Sequence, residues 1–128
     1  MRERYQNSNS AMSKIVFKIV TVREWSKATI DGVYSGSADD RRDGFIHLSA
    51  QHQLPGTLEK HFKDKGDLVL IAFEASALGP ELKWEQSRGG DLFPHLYGNI
   101  SVSEAMWQRN LQNDENGIPR IEEEWFVC

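Results

Sequence analysis

Asp67-Leu-Val-Leu-Ile-Ala-Phe-Glu74 is the most hydrophobic run of the chain, six apolar side chains between two acids. A run of that length without polar alternation reads as a central strand covered on both faces. Working back towards the N-terminus, Lys63-Asp-Lys-Gly66 closes a helix expected over about 51–63. Leu54, Leu58, His61 and Phe62 form its buried stripe, Pro55 sits in its first turn, and Ser49 is placed to cap it. Before it, Phe45-Ile46-His47-Leu48 reads as a short strand with Phe45 and His47 on one face. Residues 36–43 (Gly-Ser-Ala-Asp-Asp-Arg-Arg-Asp) are expected to be a polar loop, and Val33-Tyr34-Ser35 a short extended piece. Ile15-Val-Phe-Lys-Ile-Val-Thr21 is a first strand. Thr21-Val-Arg-Glu24 then forms a capping box that starts a helix over about 22–31, stopped by Gly32.

Working forward from the run, Ala75–Pro80 is a turn, Leu82–Glu85 a strand, and Ser87-Arg-Gly-Gly90 a flexible loop. Pro94 marks Phe93–Tyr97 as edge-like or irregular rather than a central strand. Ser103 can cap a short helix, or Ala105–Leu111 can form a further strand; periodicity leaves both open. Residues 113–117 are a loop, Glu122-Glu-Glu124 is a solvated acidic run, and Trp125-Phe126 docks the chain end. The alternation predicts an α+β fold over 14–128 as one domain. Residues 1–13 are expected to be a disordered leader, with Met12 a candidate start.

The 128 residues carry a formal charge of −4. Residues 1–64 hold 10 basic against 8 acidic side chains, and residues 65–128 hold 5 against 11. Duplex nucleic acid calls for a dense basic face, which this pattern lacks, so a small-molecule ligand is the expected partner. The lone cysteine, Cys128, is the last residue and can form no internal disulfide. No apolar run reaches the roughly 20 residues of a membrane helix. The residues give neither a membrane partner nor an oligomeric state, and a cytoplasmic location is the default expectation.

Two segments concentrate the chemistry. Asp43-Gly-Phe-Ile-His-Leu-Ser49 and Asp91-Leu-Phe-Pro-His-Leu-Tyr-Gly98 each set a histidine among apolar residues, near a hydroxyl and a glycine turn. They are read as two walls of one cleft lined by His47, Ser49, Glu85, His95 and Tyr97. An imidazole exchanges protons near neutrality, which makes His47 and His95 candidate catalytic groups. The plain alternatives are a packed histidine bonded to backbone and, for Ser49, a helix cap. Glu85, beside Trp84, can act as acid or base or stabilise a cationic transition state. Arg88 offers a bidentate anion contact, and the backbone at Gly90 can approach a phosphate. No Walker A or dinucleotide-binding glycine fingerprint occurs. His47, His95 and Glu85 also make a two-histidine, one-carboxylate metal set, without local ligand spacing to support it.

Trp25, the Asp43–Ser49 motif, Trp84-Glu85 and the Phe93–Gly98 motif resemble the small bacterial family catalogued as domain of unknown function 952, over about residues 14–112. That family is grouped with the ADP-ribosyltransferase-like fold. The resemblance therefore implies small split or curved mixed sheets with two or three helices, and NAD or a related nucleotide as ligand or substrate. It implies Ser49 and Glu85 as counterparts of that superfamily's serine and glutamate. Lys18 stands on the first strand where a histidine or arginine is usual, a departure that bears on transferase activity. The leading expectation is a nucleotide-like ligand, NAD or ADP-ribose in type, with ribosyl transfer or cleavage. His47, Glu85 and His95 are the catalytic candidates, and Lys18, Ser49, Arg88, Gly90 and Tyr97 the binding candidates. A noncatalytic ligand-binding module and a metal-dependent enzyme are the alternatives.

Overall fold

The computed structural model describes residues 14–126; the leader 1–13, Met12 and Cys128 lie outside the described residues. In chain order the main elements are β1 (Ile15–Thr21), α1 (Val22–Asp31), β2 (Val33–Tyr34), α2 (Ala38–Asp43), β3 (Ile46–His47) and β4 (Ser49–Ala50). Then follow α3 (Leu54–His61), β5 (Leu68–Glu74), α4 (Ala75–Leu78), β6 (Leu82–Gln86), β7 (Leu92–Leu96), β8 (Ile100–Ser101), β9 (Ala105–Asn113) and β10 (Pro119–Arg120). The fold is α+β. Its strands form a five-stranded sheet of order β10-β9-β5-β1-β4, a pair β2-β8, and a three-stranded sheet β3-β7-β6. Every pairing is antiparallel.

The run at 67–74 is the central strand of the large sheet, flanked by β1 and β9. Its side chains divide by parity, as a strand requires. Val69, Ile71 and Phe73 pack with Trp25, Ala28, Tyr34, Leu96 and Ile100. Leu68, Leu70 and Ala72 pack with Leu54, Leu58, Phe17 and Leu111 on the other face. All six are nearly inaccessible to water, and each large apolar side chain so buried contributes about 1.5–3 kcal/mol. Phe126 closes the second face, its ring 5.4 Å from Phe17 and 5.9 Å from Trp107.

α1 starts and stops as the sequence dictates. Glu24 N–H donates to Thr21 Oγ1 while Thr21 N–H donates to Glu24 Oε1, and Gly32 ends the helix at φ +83°. Three expectations are corrected and one open choice is decided. Residues 38–43 form α2 rather than a loop, opened by a Ser37–Asp40 capping box. Ser49 caps no helix; it lies in β4, paired with Phe17, and a 3-10 turn at Gln51–Gln53 leads into α3 instead. The segment from Ala105 resolves as the nine-residue β9.

The third correction is β7, the middle strand of its sheet despite Pro94. β3 is only two residues long and pairs with His95 and Leu96. The Pro94 carbonyl accepts from Leu48 N–H at 3.0 Å. A residue's N and C=O point to the same side of a strand, so the missing N–H faces the side where β3 has already ended.

Edge geometry opens the cavity. β4 pairs only with Val16 and Phe17 of β1. Lys18–Thr21 therefore have no strand neighbour on that side and line a hollow instead.

Candidate functional site

The hollow is a cavity of about 470 Å³ walled by β1, α2, β3, the Ser49–His61 segment and the Ser87–His95 segment. At one end lies a buried charge network. Asp40 is 2 % exposed and Lys18 6 %. Lys18 Nζ sits 2.9 Å from Asp40 Oδ2 and donates to the His47 carbonyl at 2.9 Å. Asp40 also accepts from the backbone N–H groups of Ser37 and His47, at 2.9 and 3.1 Å. His47 Nδ1 lies 2.6 Å from Asp40 Oδ1, and its Nε2 lies 2.9 Å from Asp43 Oδ2.

These contacts decide the charge state of Asp40. Burial pushes its carboxyl up, but the His47 hydrogen bond, the Lys18 charge and the two backbone donors outweigh it. The group is held well below the usual carboxylate range. Burial pulls Lys18 down from its ordinary value, and the Asp40 charge opposes that pull. Gly36 permits the packing: a Cβ there would come 2.9 Å from the Asp40 Cβ, and its φ of +114° disfavours any other residue.

The other end gathers one cation and two hydroxyls. Arg88 Nη2 donates to Thr57 Oγ1 at 3.3 Å, and Ser49 Oγ lies 3.4 Å from the same hydroxyl. The guanidinium stacks 4.9 Å over the Phe93 ring. Gly56 leaves room for it, since a Cβ there would meet Nη2 at 3.1 Å. His61 also lines the cavity, its imidazole lowered by burial and then by the Arg88 charge.

The two histidine motifs are neighbours rather than opposing walls. His47 and His95 are in register across β3 and β7, with ring centroids 5.7 Å apart. Phe45 stacks on His95 at 4.1 Å and lies 5.3 Å from Tyr97. His95 Nδ1 lies 2.8 Å from Glu85 Oε1, which also accepts from Tyr97 O–H at 2.8 Å. These two bonds, the His95 bond first, hold the Glu85 carboxyl below its ordinary value.

Lys18, His47, Ser49, Arg88 and His95 thus line one cavity. Glu85 and Tyr97 do not, which corrects the expected lining, and the binding candidate Gly90 lies outside it as well. Glu85 and Tyr97 stand behind His95 on a more exposed surface, and Gly90 ends a 3-10 turn. Asp40, Asp43, Thr57 and His61 belong to the cavity wall without having been singled out in the sequence. The Ser37-x-x-Asp40 spacing was the available signal for Asp40. Among the described residues no three His, Cys, Asp or Glu side chains are grouped to hold a metal ion. The His47, His95 and Glu85 metal set is corrected accordingly: both His47 nitrogens face other carboxylates. No helix of the described residues is long and apolar enough to cross a membrane.

A family model described as "Protein of unknown function (DUF952)" matches residues 19–108. The chain is similar to the crystal structure of protein CC0527 from Caulobacter crescentus, with 47 % identity and a TM-score of 0.81, covering 83 % of this chain and 93 % of that one. The solution NMR structure of CC0527 matches with 47 % identity and a TM-score of 0.76, over 83 % and 91 % of the two chains. No curated protein matches.

Proposed function

The chain belongs to the DUF952 family, and from the chemistry of its cavity we propose that this member binds a small, nucleotide-like anion, of NAD or ADP-ribose type, and acts at its ribosyl bond. The observation that carries this reading is the union, in one cavity, of an Arg88–Thr57–Ser49 anion end with a Lys18–Asp40–His47–Asp43 charge network. The volume of about 470 Å³ falls within the range of ~300–1,000 Å³ usual for small-molecule sites.

Arg88 takes a phosphate oxygen, with Thr57 and Ser49 supplying hydroxyls. Phe17, Phe62 and Phe93 give apolar wall to a base or pyridine ring. His47 holds Asp43 in place through Nε2. Asp43, the exposed carboxylate at the cavity rim, opposes positive charge developing at the ribosyl carbon, the task expected of Glu85 from its place beside Trp84. Lys18 and Asp40 fix His47 from behind.

Titration of NAD, ADP-ribose and nicotinamide into isotope-labelled protein tests the reading. Amide shifts are expected at residues 43–49, 57–61 and 88–95, together with release of nicotinamide from NAD. Silence of these amides at millimolar ligand ends the nucleotide reading. Binding without product assigns the cavity to a noncatalytic binding module.

A further inference from the structure

Of the three imidazoles that line the cavity, His47 and His95 are held in opposite ways. Both nitrogens of His47 face carboxylates, at 2.6 Å and 2.9 Å. A ring donates through both nitrogens only as imidazolium, so this arrangement, fully bonded, leaves no lone pair for a ligand. His95 meets one carboxylate, through Nδ1, and no described residue hydrogen-bonds its Nε2. The residue is 6 % exposed, its ring stacks under Phe45 at 4.1 Å, and it lines the cavity. A neutral imidazole that donates Nδ1–H to a carboxylate carries its lone pair on Nε2.

We infer that His95 is the proton acceptor of this cavity, presenting an unprotonated Nε2 to a hydroxyl of the bound ligand, and that Glu85 and Tyr97 are positioning residues acting through it. The inference rests on the cavity reading proposed above and adds a division of labour: both His47 nitrogens stay on Asp40 and Asp43, and His95 accepts. The step is one proton transfer. The ligand O–H bond breaks, its electron pair stays on oxygen, and an Nε2–H bond forms. The imidazolium so formed is balanced by Glu85, already ionised because the His95 and Tyr97 hydrogen bonds hold its carboxyl low. Tyr97 donates to the Oε1 that receives Nδ1–H, fixing the carboxylate and with it the ring. The arrangement matches the general logic of a base oriented by a third group.

The deciding measurement is the His95 tautomer in the imidazole-15N-labelled full chain, by long-range 1H–15N correlation at mildly alkaline pH. The expected pattern is Nδ1 protonated and Nε2 bare. Glu85→Ala should move the ring towards the Nε2–H tautomer with the amide spectrum otherwise intact. Glu85→Gln keeps an acceptor oxygen in place and should keep the native tautomer, a rescue that a purely packing role for Glu85 does not produce. An Nε2–H tautomer in the native chain, or an unchanged tautomer in Glu85→Ala, overturns the inference. ADP-ribose added to the native chain should shift the Nε2 resonance. Amide shifts around the cavity without any change at Nε2 also overturn it. If ADP-ribose moves no amide at all while the native and Glu85→Ala tautomers behave as expected, the nucleotide reading fails and the positioning of His95 by Glu85 stands.

Discussion

Asp40 keeps its charge in the interior because donors surround it: Lys18 Nζ, His47 Nδ1, and the N–H groups of Ser37 and His47. Removing one partner of such a pair leaves the other buried and unpaired. Lys18→Met is therefore expected to destabilise the protein by about 3–5 kcal/mol, and Lys18→Met/Asp40→Asn by less than the sum of the two single changes, in urea unfolding. The pH dependence follows from the depressed Asp40 carboxyl. The unfolded chain binds this proton at the ordinary carboxylate value of about 3.9 and the folded chain only at lower pH. Its stabilising effect is complete above that value and drains away as pH falls towards the folded one. Asp40→Asn should thus show a shallower loss of stability than the native protein below about pH 4. At the neighbouring histidine, His95→Asn removes the leading cause of the low Glu85 carboxyl. A carboxyl 13C titration should find Glu85 moved up towards its ordinary value. At the anion end, Arg88→Gln should weaken ADP-ribose binding by about 10-fold or more, the scale of a lost hydrogen bond to a charged group. Ligand affinity unaffected by that change would falsify the assigned anion end.

At the scale of elements, α2 shows where the sequence stops being readable. α1 and β5 were legible because their signals are local: a capping box followed by helical spacing, and six apolar residues in a row. Residues 36–43 carry no large apolar side chain, so nothing in their periodicity announces a helix. Their order comes from the Ser37–Asp40 box and from a lysine 22 positions earlier that accompanies Asp40 into the interior. Pairing at that distance leaves no pattern in a single chain. β7 departs from expectation for a related reason: the rule against proline in a central strand holds only where the neighbour is long enough to need the N–H, and β3 is not. Ser37→Ala should cost about 1 kcal/mol as a lost cap. Because the cap also sets Asp40, the change should broaden or shift the His47 imidazole signals as well. Gly36→Ala, which places a Cβ 2.9 Å from that of Asp40, should be the more damaging of the two in urea unfolding.

Over the whole molecule, the three sheets share the core on one face of β5, and the C-terminal segment packs against the core on its other face. Phe126→Ala removes a ring that meets Phe17 and Trp107. The midpoint of urea unfolding should fall, with a loss of about 1–2 kcal/mol for a partly buried aromatic. The candidate site was legible as a pair of histidine motifs some forty-eight residues apart, because aromatic, glycine and hydroxyl residues gather around each. The partition of the site was not. Which carboxylate faces the cavity and which stands behind His95 depends on the pleat of β6 and β7 and on Phe45 lying across the ring. The same holds for the shortness of β4. An uncovered strand edge is ordinarily a template on which another polypeptide can dock. Here the uncovered stretch, Lys18–Thr21, is recessed inside a hollow of about 470 Å³ walled by α2. That recess works as a sieve. A second chain is kept from that edge, and on the reading proposed above a small molecule meets main chain there, a grip that side-chain substitution at these four positions does not erase.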